Sequence, residues 1–261
     1  MNGQIYVMNE GALHALSESV YEAEDTLQTL LEDHPALLAG EQMTGAEPKR
    51  WILVGREFGV SDEQDSANRW SLDHLFLDQD GVPTLVEVKR SEDRRIRREV
   101  VGQMMDYAAN AIRYGDPSRI RRLFDRRHDN PDEVLRQRLG RTDPDAYWKA
   151  VQDNLGRGAV RMVFVADRIP SELEGIVEFL NGQMSPAEVL AVEVTQYEGD
   201  GLKTLVPRVV GQTVAAQQKN GTQKTSWNEE TFFEEMARRT SEEIANRVRR
   251  IYDRARRTGV T

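Results

Sequence analysis

Two short apolar segments joined by a tight polar turn constrain this chain more than any other feature. Trp70 to Leu77 and Pro83 to Lys89 read as strands, and the intervening Asp78-Gln79-Asp80-Gly81 is a turn signal, so together they predict an antiparallel β-hairpin. With the loop at Asp78 to Val82 and Leu77 facing Pro83, opposing residue numbers add to 160, which sets Asp73 across from Glu87. Their β-carbons are then about 4.5–5.5 Å apart on one face. Lys89 lies two residues beyond Glu87 and shares that face, because strand side chains alternate with a period of two. Two carboxylates held so close repel each other unless one is protonated or a cation lies between them. A divalent metal is the simplest answer, with the backbone carbonyl of Val88 as a further ligand.

The segments around the hairpin read as an α/β domain. Val20, Ala23, Leu27, Leu30 and Leu31 recur at helical spacing from Ser17 to Asp33, with Pro35 as a stop, which puts Glu24 near the middle of a first helix. Trp51 to Val54 reads as a strand, and Ser61 to Asn68 as a polar loop before Trp70. Ser91 is placed to cap a long helix running to about Arg113. From about Gly115 to Gly158 an Arg-rich, Pro- and Asp-punctuated stretch reads as short inserted helices of low apolar content. Strands at Arg161–Ala166, Val189–Gln196 and Thr204–Val210, with a helix at Ser171–Leu180, complete a mixed sheet.

Residues 1–210 therefore form one domain, residues 211–225 a linker rich in Gln, Thr, Lys and Gly, and residues 226–261 amphipathic helices. The stripe Ile244, Val248, Ile251 and Ala255 suits docking on the core, on a second copy as a homodimer, or on a protein partner. No stretch is long and apolar enough to span a membrane, and the first residues lack a signal peptide, so a cytoplasmic protein is expected. The chain has no cysteine, which excludes disulfides, thiolate nucleophiles and cysteine-ligated metals. A formal charge of −9 conceals opposite halves. Residues 1–64 carry twelve acids against three bases, whereas residues 89–141 carry fifteen Lys or Arg against nine acids, so an anionic partner meets the middle of the chain.

Asp73, thirteen intervening residues and then Glu87-Val88-Lys89 resemble the PD-(D/E)xK phosphodiesterase superfamily. Gln103 and Tyr107 match the QxxxY signature of its RecB-like branch, and Glu24 matches the acid on its first helix. The run from Trp70 to Arg90 is most similar to the nuclease domain of NucS-type endonucleases. Leu72 departs from the proline usual before the first acid, at a position that is not a ligand. Over roughly residues 17 to 210, the resemblance implies a restriction-endonuclease-like fold and a nuclease acting on DNA. It implies Asp73 and Glu87 as ligands of Mg²⁺ or Mn²⁺, Lys89 serving the attacking water, Glu24 assisting the metal, and Gln103 and Tyr107 shaping the site. A hard oxygen-ligated cation suits this chemistry, since it polarises the phosphoryl group and activates water. The residues alone support only a phosphodiester.

Each signal also has a plainer explanation. Glu24 can be a solvent-facing helix acid, and Gln103 and Tyr107, on the stripe Ile96, Val100, Gln103, Tyr107, a buried hydrogen-bonding pair. Arg90, Arg94, Arg95, Arg97 and Arg98, with Arg119, Arg121, Arg122, Arg126 and Arg127 beyond them, can be a solvated face or a track for phosphates. His14, His34, His74 and His128 have no metal-ligand spacing, and His74 is expected to point away from Asp73. Gly156-Arg157-Gly158 lacks the third glycine of a dinucleotide fingerprint, and neither a P-loop nor a G-x-S-x-G elbow is present. Two rival functions remain: a non-catalytic nucleic-acid-binding module of the same fold, and an interaction component acting through its C-terminal helices.

Overall fold

A computed structural model describes residues 4–43, 47–62, 65–92, 99–211, 233, 236, 247–250 and 252. The chain divides into two compact units, Met1–Gly221 and Thr222–Thr261. In the first, the described residues form a mixed β-sheet flanked by helices. The strands are β1 (Gln4–Asn9), β2 (Ala12–Ser19), β3 (Trp51–Asp62), β4 (Asp65–Asp78), β5 (Pro83–Lys89), β6 (Arg161–Ala166), β7 (Glu188–Gly199) and β8 (Leu202–Val210). The helices are α1 (Glu24–Asp33), α2 (Glu99–Tyr114), α3 (Pro117–Arg127), α4 (Pro131–Val134), α5 (Pro144–Gly156) and α6 (Ser171–Gln183). The strand order is β1-β2-β7-β6-β5-β4-β3, with β8 paired to β7. The strands β5, β6 and β7 run parallel, and their other neighbours are antiparallel.

The near-continuous apolar runs of β5 and β6 follow from helices on both faces of the sheet. One face sets Leu75, Leu77, Leu85, Met162, Phe164, Val189 and Ala191 in a single core with Val100, Met104 and Tyr107 of α2. The opposite face packs Phe76, Val86, Val88, Val163, Val165, Leu190 and Val192 with Leu27 and Leu31 of α1. Asp73, Glu87 and Lys89 have the parity of the α2 face.

The hairpin register is the expected one: Leu77 pairs with Pro83, and the ladder continues through Leu75–Leu85 to His74–Val86. Several boundaries differ from the sequence reading. Residues 4–19 form the β1–β2 hairpin around Glu10-Gly11, both with positive φ, and Ser17–Ser19 extend it onto β7. The first helix therefore begins at Glu24 rather than Ser17, with Glu24 in its first turn rather than its middle, and Val20 is exposed rather than part of the apolar stripe. Most of the expected loop at Ser61–Asn68 is strand, because β3 and β4 reach Asp62 and Asp65. Ser91 donates both its N–H and its hydroxyl to Asp167, and the residues that would form the helix start it was expected to cap, 93–98, lie outside the described residues.

The inserted helices are more apolar in effect than their composition suggests. Ile120, Phe124, Leu135, Leu139, Tyr147, Trp148, Val151 and Leu155 all enter the α2-side core. In the second unit, residues 247–250 are helical, the ring of Phe233 meets that of Tyr252 at 5.8 Å, and the Arg249 guanidinium lies over Phe233. Apart from Gly211, the expected linker lies outside the described residues, as do most of the expected C-terminal helices. Among the described residues no helix is long and apolar enough to cross a membrane.

Candidate active site

At the carboxyl end of β5, the edge of the sheet brings four side chains together. Lys89 Nζ lies 3.0 Å from Glu87 Oε1, 3.1 Å from Glu24 Oε1 and 3.7 Å from Asp73 Oδ2, and it donates to the carbonyl of Val88 at 2.8 Å. Glu24 reaches this point from the opposite layer because it opens α1, at the rim of the sheet. Carboxyl ends of parallel strands are where α/β sheets present ligand sites, since side chains from several strands and helix starts meet there.

The paired ladder stops at His74–Val86, one step short of Asp73 and Glu87. Continued at the same register, the N–H of Val88 would face Leu72; instead it donates to Asp73 Oδ2 at 2.7 Å. The carboxylate thus replaces a backbone acceptor, which fixes Asp73 beside the end of β5 rather than leaving it in simple cross-strand contact with Glu87. Gln103 donates to the Tyr107 hydroxyl, which in turn donates to the carbonyl of Ser71 at 2.8 Å. The Gln103–Tyr107 pair is therefore both a hydrogen-bonded unit and a brace on β4, two residues before Asp73.

Burial is graded across the cluster: the side chain of Glu87 is 2% exposed, that of Asp73 15% and that of Glu24 31%. Burial raises the Glu87 carboxyl to a pKa of about 7, with the neighbouring Asp73 charge adding to it and Lys89 opposing. The Asp73 carboxyl is also raised by burial, against the pull of Lys89 and the Val88 N–H. Burial disfavours the Lys89 ammonium, but Asp73, Glu87 and Glu24 outweigh it and hold its pKa above the ordinary lysine value. Burial, with the nearby Glu87 and Asp73 charges, pushes the Tyr107 phenol up to about 12 despite the opposing Gln103 hydrogen bond.

Among the described residues, no group of three or more His, Cys, Asp or Glu is placed so that it could hold a metal ion as it stands. The point on which the carboxylates converge is held by the ammonium. The donor set nevertheless consists entirely of oxygens, the kind a hard divalent cation takes. Glu87 Oε2 is buried without a hydrogen-bond partner, an uncompensated acceptor that a cation would satisfy.

Arg90 sits beside the cluster, donating to Glu92 at 2.9 Å and to the carbonyl of Glu22 at 3.5 Å. Arg94, Arg95, Arg97 and Arg98, like Ile96, lie outside the described residues. On α3, Arg121, Arg122 and Arg127 pair with Asp145, Asp116 and Glu32. Asp167, which the sequence reading missed, anchors Ser91 from the end of β6. Its only signal was its position immediately after the apolar run 161–166, next to the strand carrying Lys89.

His74 points away from Asp73, as expected. It is fully buried, with Nε2–H donating to the carbonyl of Gln28 at 3.0 Å and Nδ1 unpartnered. Burial, helped by Arg56, lowers its pKa to about 4 although the Gln28 carbonyl opposes the shift. Between pH 6.5 and 4 the unfolded chain therefore binds a proton that the folded chain refuses, and His74 costs stability as the pH falls. The expected loss is about 2–3 kcal/mol by pH 4.5. Urea denaturation of wild type beside His74→Gln, whose amide N–H can take the place of Nε2–H toward the Gln28 carbonyl, checks this: the stability difference should shift in favour of the variant by that amount between pH 7 and 4.5.

Comparison of the chain with protein-family models, curated proteins and solved structures finds no match.

Proposed function

We propose that this chain is a metal-dependent nuclease of restriction-endonuclease-like fold that hydrolyses phosphodiester bonds, with DNA as substrate. The observation that carries the reading is the convergence of Asp73, Glu87, Glu24 and Lys89 at the carboxyl end of β5, with Glu87 Oε2 buried and unpartnered. Asp73, Glu87 and the Val88 carbonyl would hold Mg²⁺ or Mn²⁺, with Glu24 in support. When bound, such an ion supplies Lewis-acid polarisation of the phosphoryl group and makes water a better nucleophile at neutral pH. Lys89 contributes a positive charge that orients the water or holds a phosphoryl oxygen. Gln103 and Tyr107 keep β4, and with it Asp73, in place. Arg90, beside the cluster, would contact the phosphate backbone.

The test is a cleavage assay on plasmid and linear DNA with Mg²⁺, Mn²⁺ or EDTA. Strand scission is expected with either ion and absent in EDTA, in Asp73→Ala and in Lys89→Ala. DNA binding without scission under every ion condition would replace the nuclease with a non-catalytic binding module. Absence of both at low salt would leave the C-terminal helices and a protein partner as the leading function.

A further inference from the structure

The cation-binding oxygens are already engaged, and by a residue of the chain itself. The three N–H groups of the Lys89 ammonium match the Val88 carbonyl at 2.8 Å, Glu87 Oε1 at 3.0 Å and Glu24 Oε1 at 3.1 Å, with Asp73 Oδ2 just beyond at 3.7 Å. The lysine stem does not extend past the end of β5. It curls back so that its tip reaches the carbonyl of the preceding residue. These four contacts are to the same groups assigned above to the metal. A dication and an ammonium cannot share so small a volume without strong repulsion, because their charges add in a buried site that screens poorly. One positive charge against three carboxylates also compensates incompletely, and Glu87 Oε2 remains buried without a partner.

We propose that Lys89 is a built-in counter-cation: its ammonium assembles the ligand cluster in the metal-free protein and must be displaced when a divalent metal enters. This rests on reading the cluster as a metal site. Two consequences follow for the order of events. Metal affinity is held down by the cost of moving the ammonium, and the displaced ammonium becomes available to a phosphoryl oxygen only after the metal is in place.

The probe is Mn²⁺ alone, with free ion followed by electron paramagnetic resonance during titration of the full chain. Lys89→Met should bind Mn²⁺ at least about ten-fold more tightly than wild type, because no competing charge has to leave. Lys89→Arg, which keeps a competing charge, should not tighten binding. Equal affinity in wild type and Lys89→Met, with binding lost in Glu87→Gln, overturns the displacement while leaving the metal site intact. Absence of Mn²⁺ binding in all forms overturns the metal-site reading and this inference with it.

Should Lys89→Met fail to fold, the wild type provides a second measurement. Reductive methylation of Lys89, read by mass spectrometry, is expected to be slow without Mn²⁺ and several-fold faster with saturating Mn²⁺. A rate unchanged or lowered by metal overturns the proposal.

Discussion

Glu87→Gln should cut DNA roughly 10³-fold more slowly than wild type at any metal concentration, consistent with the loss of a key electrostatic group from an active site, and yet be the more stable protein at pH 8. The two effects share one cause. Glu87 is the deepest carboxylate of the cluster, and its pKa of about 7 records how strongly burial and Asp73 oppose its charge. The folded chain retains the Glu87 proton to higher pH than the unfolded chain, whose carboxyl ionises near 4.5. Stability therefore falls as the pH rises from about 4.5 to 7, and it stays lower above that range. The amide of glutamine keeps the size of the side chain and an oxygen facing Lys89, but it has no charge to bury. Between pH 5 and 8 the variant should gain about 2–3 kcal/mol relative to wild type. Single-turnover cleavage and urea denaturation at both pH values provide the two readouts. A variant that cleaves normally removes Glu87 from the chemistry, and one with the wild-type pH slope shows that its charge is not disfavoured by the fold.

The position of Glu87 was legible because hairpin register propagates. Once Asp78 to Val82 is the loop, Leu77 meets Pro83, and each step outward fixes a further pair as far as His74 and Val86, one short of Asp73 and Glu87. What the register rule could not supply was the end of the ladder, where β4 ceases to pair after His74 and the Asp73 side chain takes the N–H of Val88. That exchange depends on how β4 separates from β5, which no local pattern encodes. The β1–β2 hairpin was hidden for a different reason. Tyr6, Met8 and Leu13 are large apolar residues on its exposed face, so the polar-out alternation that marks a half-buried strand is blurred there. Helical spacing then drew Ser17 to Val20 into α1, although Ser17–Ser19 pair with Gln196–Glu198. The inserted helices misled through composition: their arginines dominate the count, while Phe124, Leu135, Leu139 and Trp148 do the packing. The strand pattern sets Lys89 on the face of Glu87, and its ammonium does lie beside Glu87 and Asp73, but its inward curl is not legible, because a strand pattern gives the face of a residue and not the rotamer of a long stem.

The register that positions the cluster is itself held from the opposite end of the hairpin, which makes Asp78→Ala the second large expected effect. Asp78 is fully buried, and its Oδ1 accepts the N–H groups of Asp80 and Val82, both at 2.9 Å, closing the turn. Its Oδ2 accepts from Arg161 at 2.9 Å, while Arg161 also reaches Glu188 at 2.5 Å and lies over the Trp51 ring. Removing one partner of a buried ion pair typically costs about 3–5 kcal/mol, and less where the remaining charge keeps a second partner, as Arg161 keeps Glu188. Alanine also strands two turn N–H groups, so the loss should still come to about 3–5 kcal/mol and lower the melting temperature by about 10 °C in a domain of this size. Asp78→Asn separates the contributions: its amide oxygen can still accept the turn N–H groups, but the pair with Arg161 loses its charge. Thermal and urea unfolding of the two variants should therefore rank wild type, Asp78→Asn and Asp78→Ala in falling order. If alanine is no worse than asparagine, the turn hydrogen bonds contribute nothing and register must be set elsewhere. If both match wild type, the buried pair does not hold the hairpin. The cluster, with Asp73 five residues before Asp78 and Glu87 five residues after Val82, would then owe its alignment to the core alone.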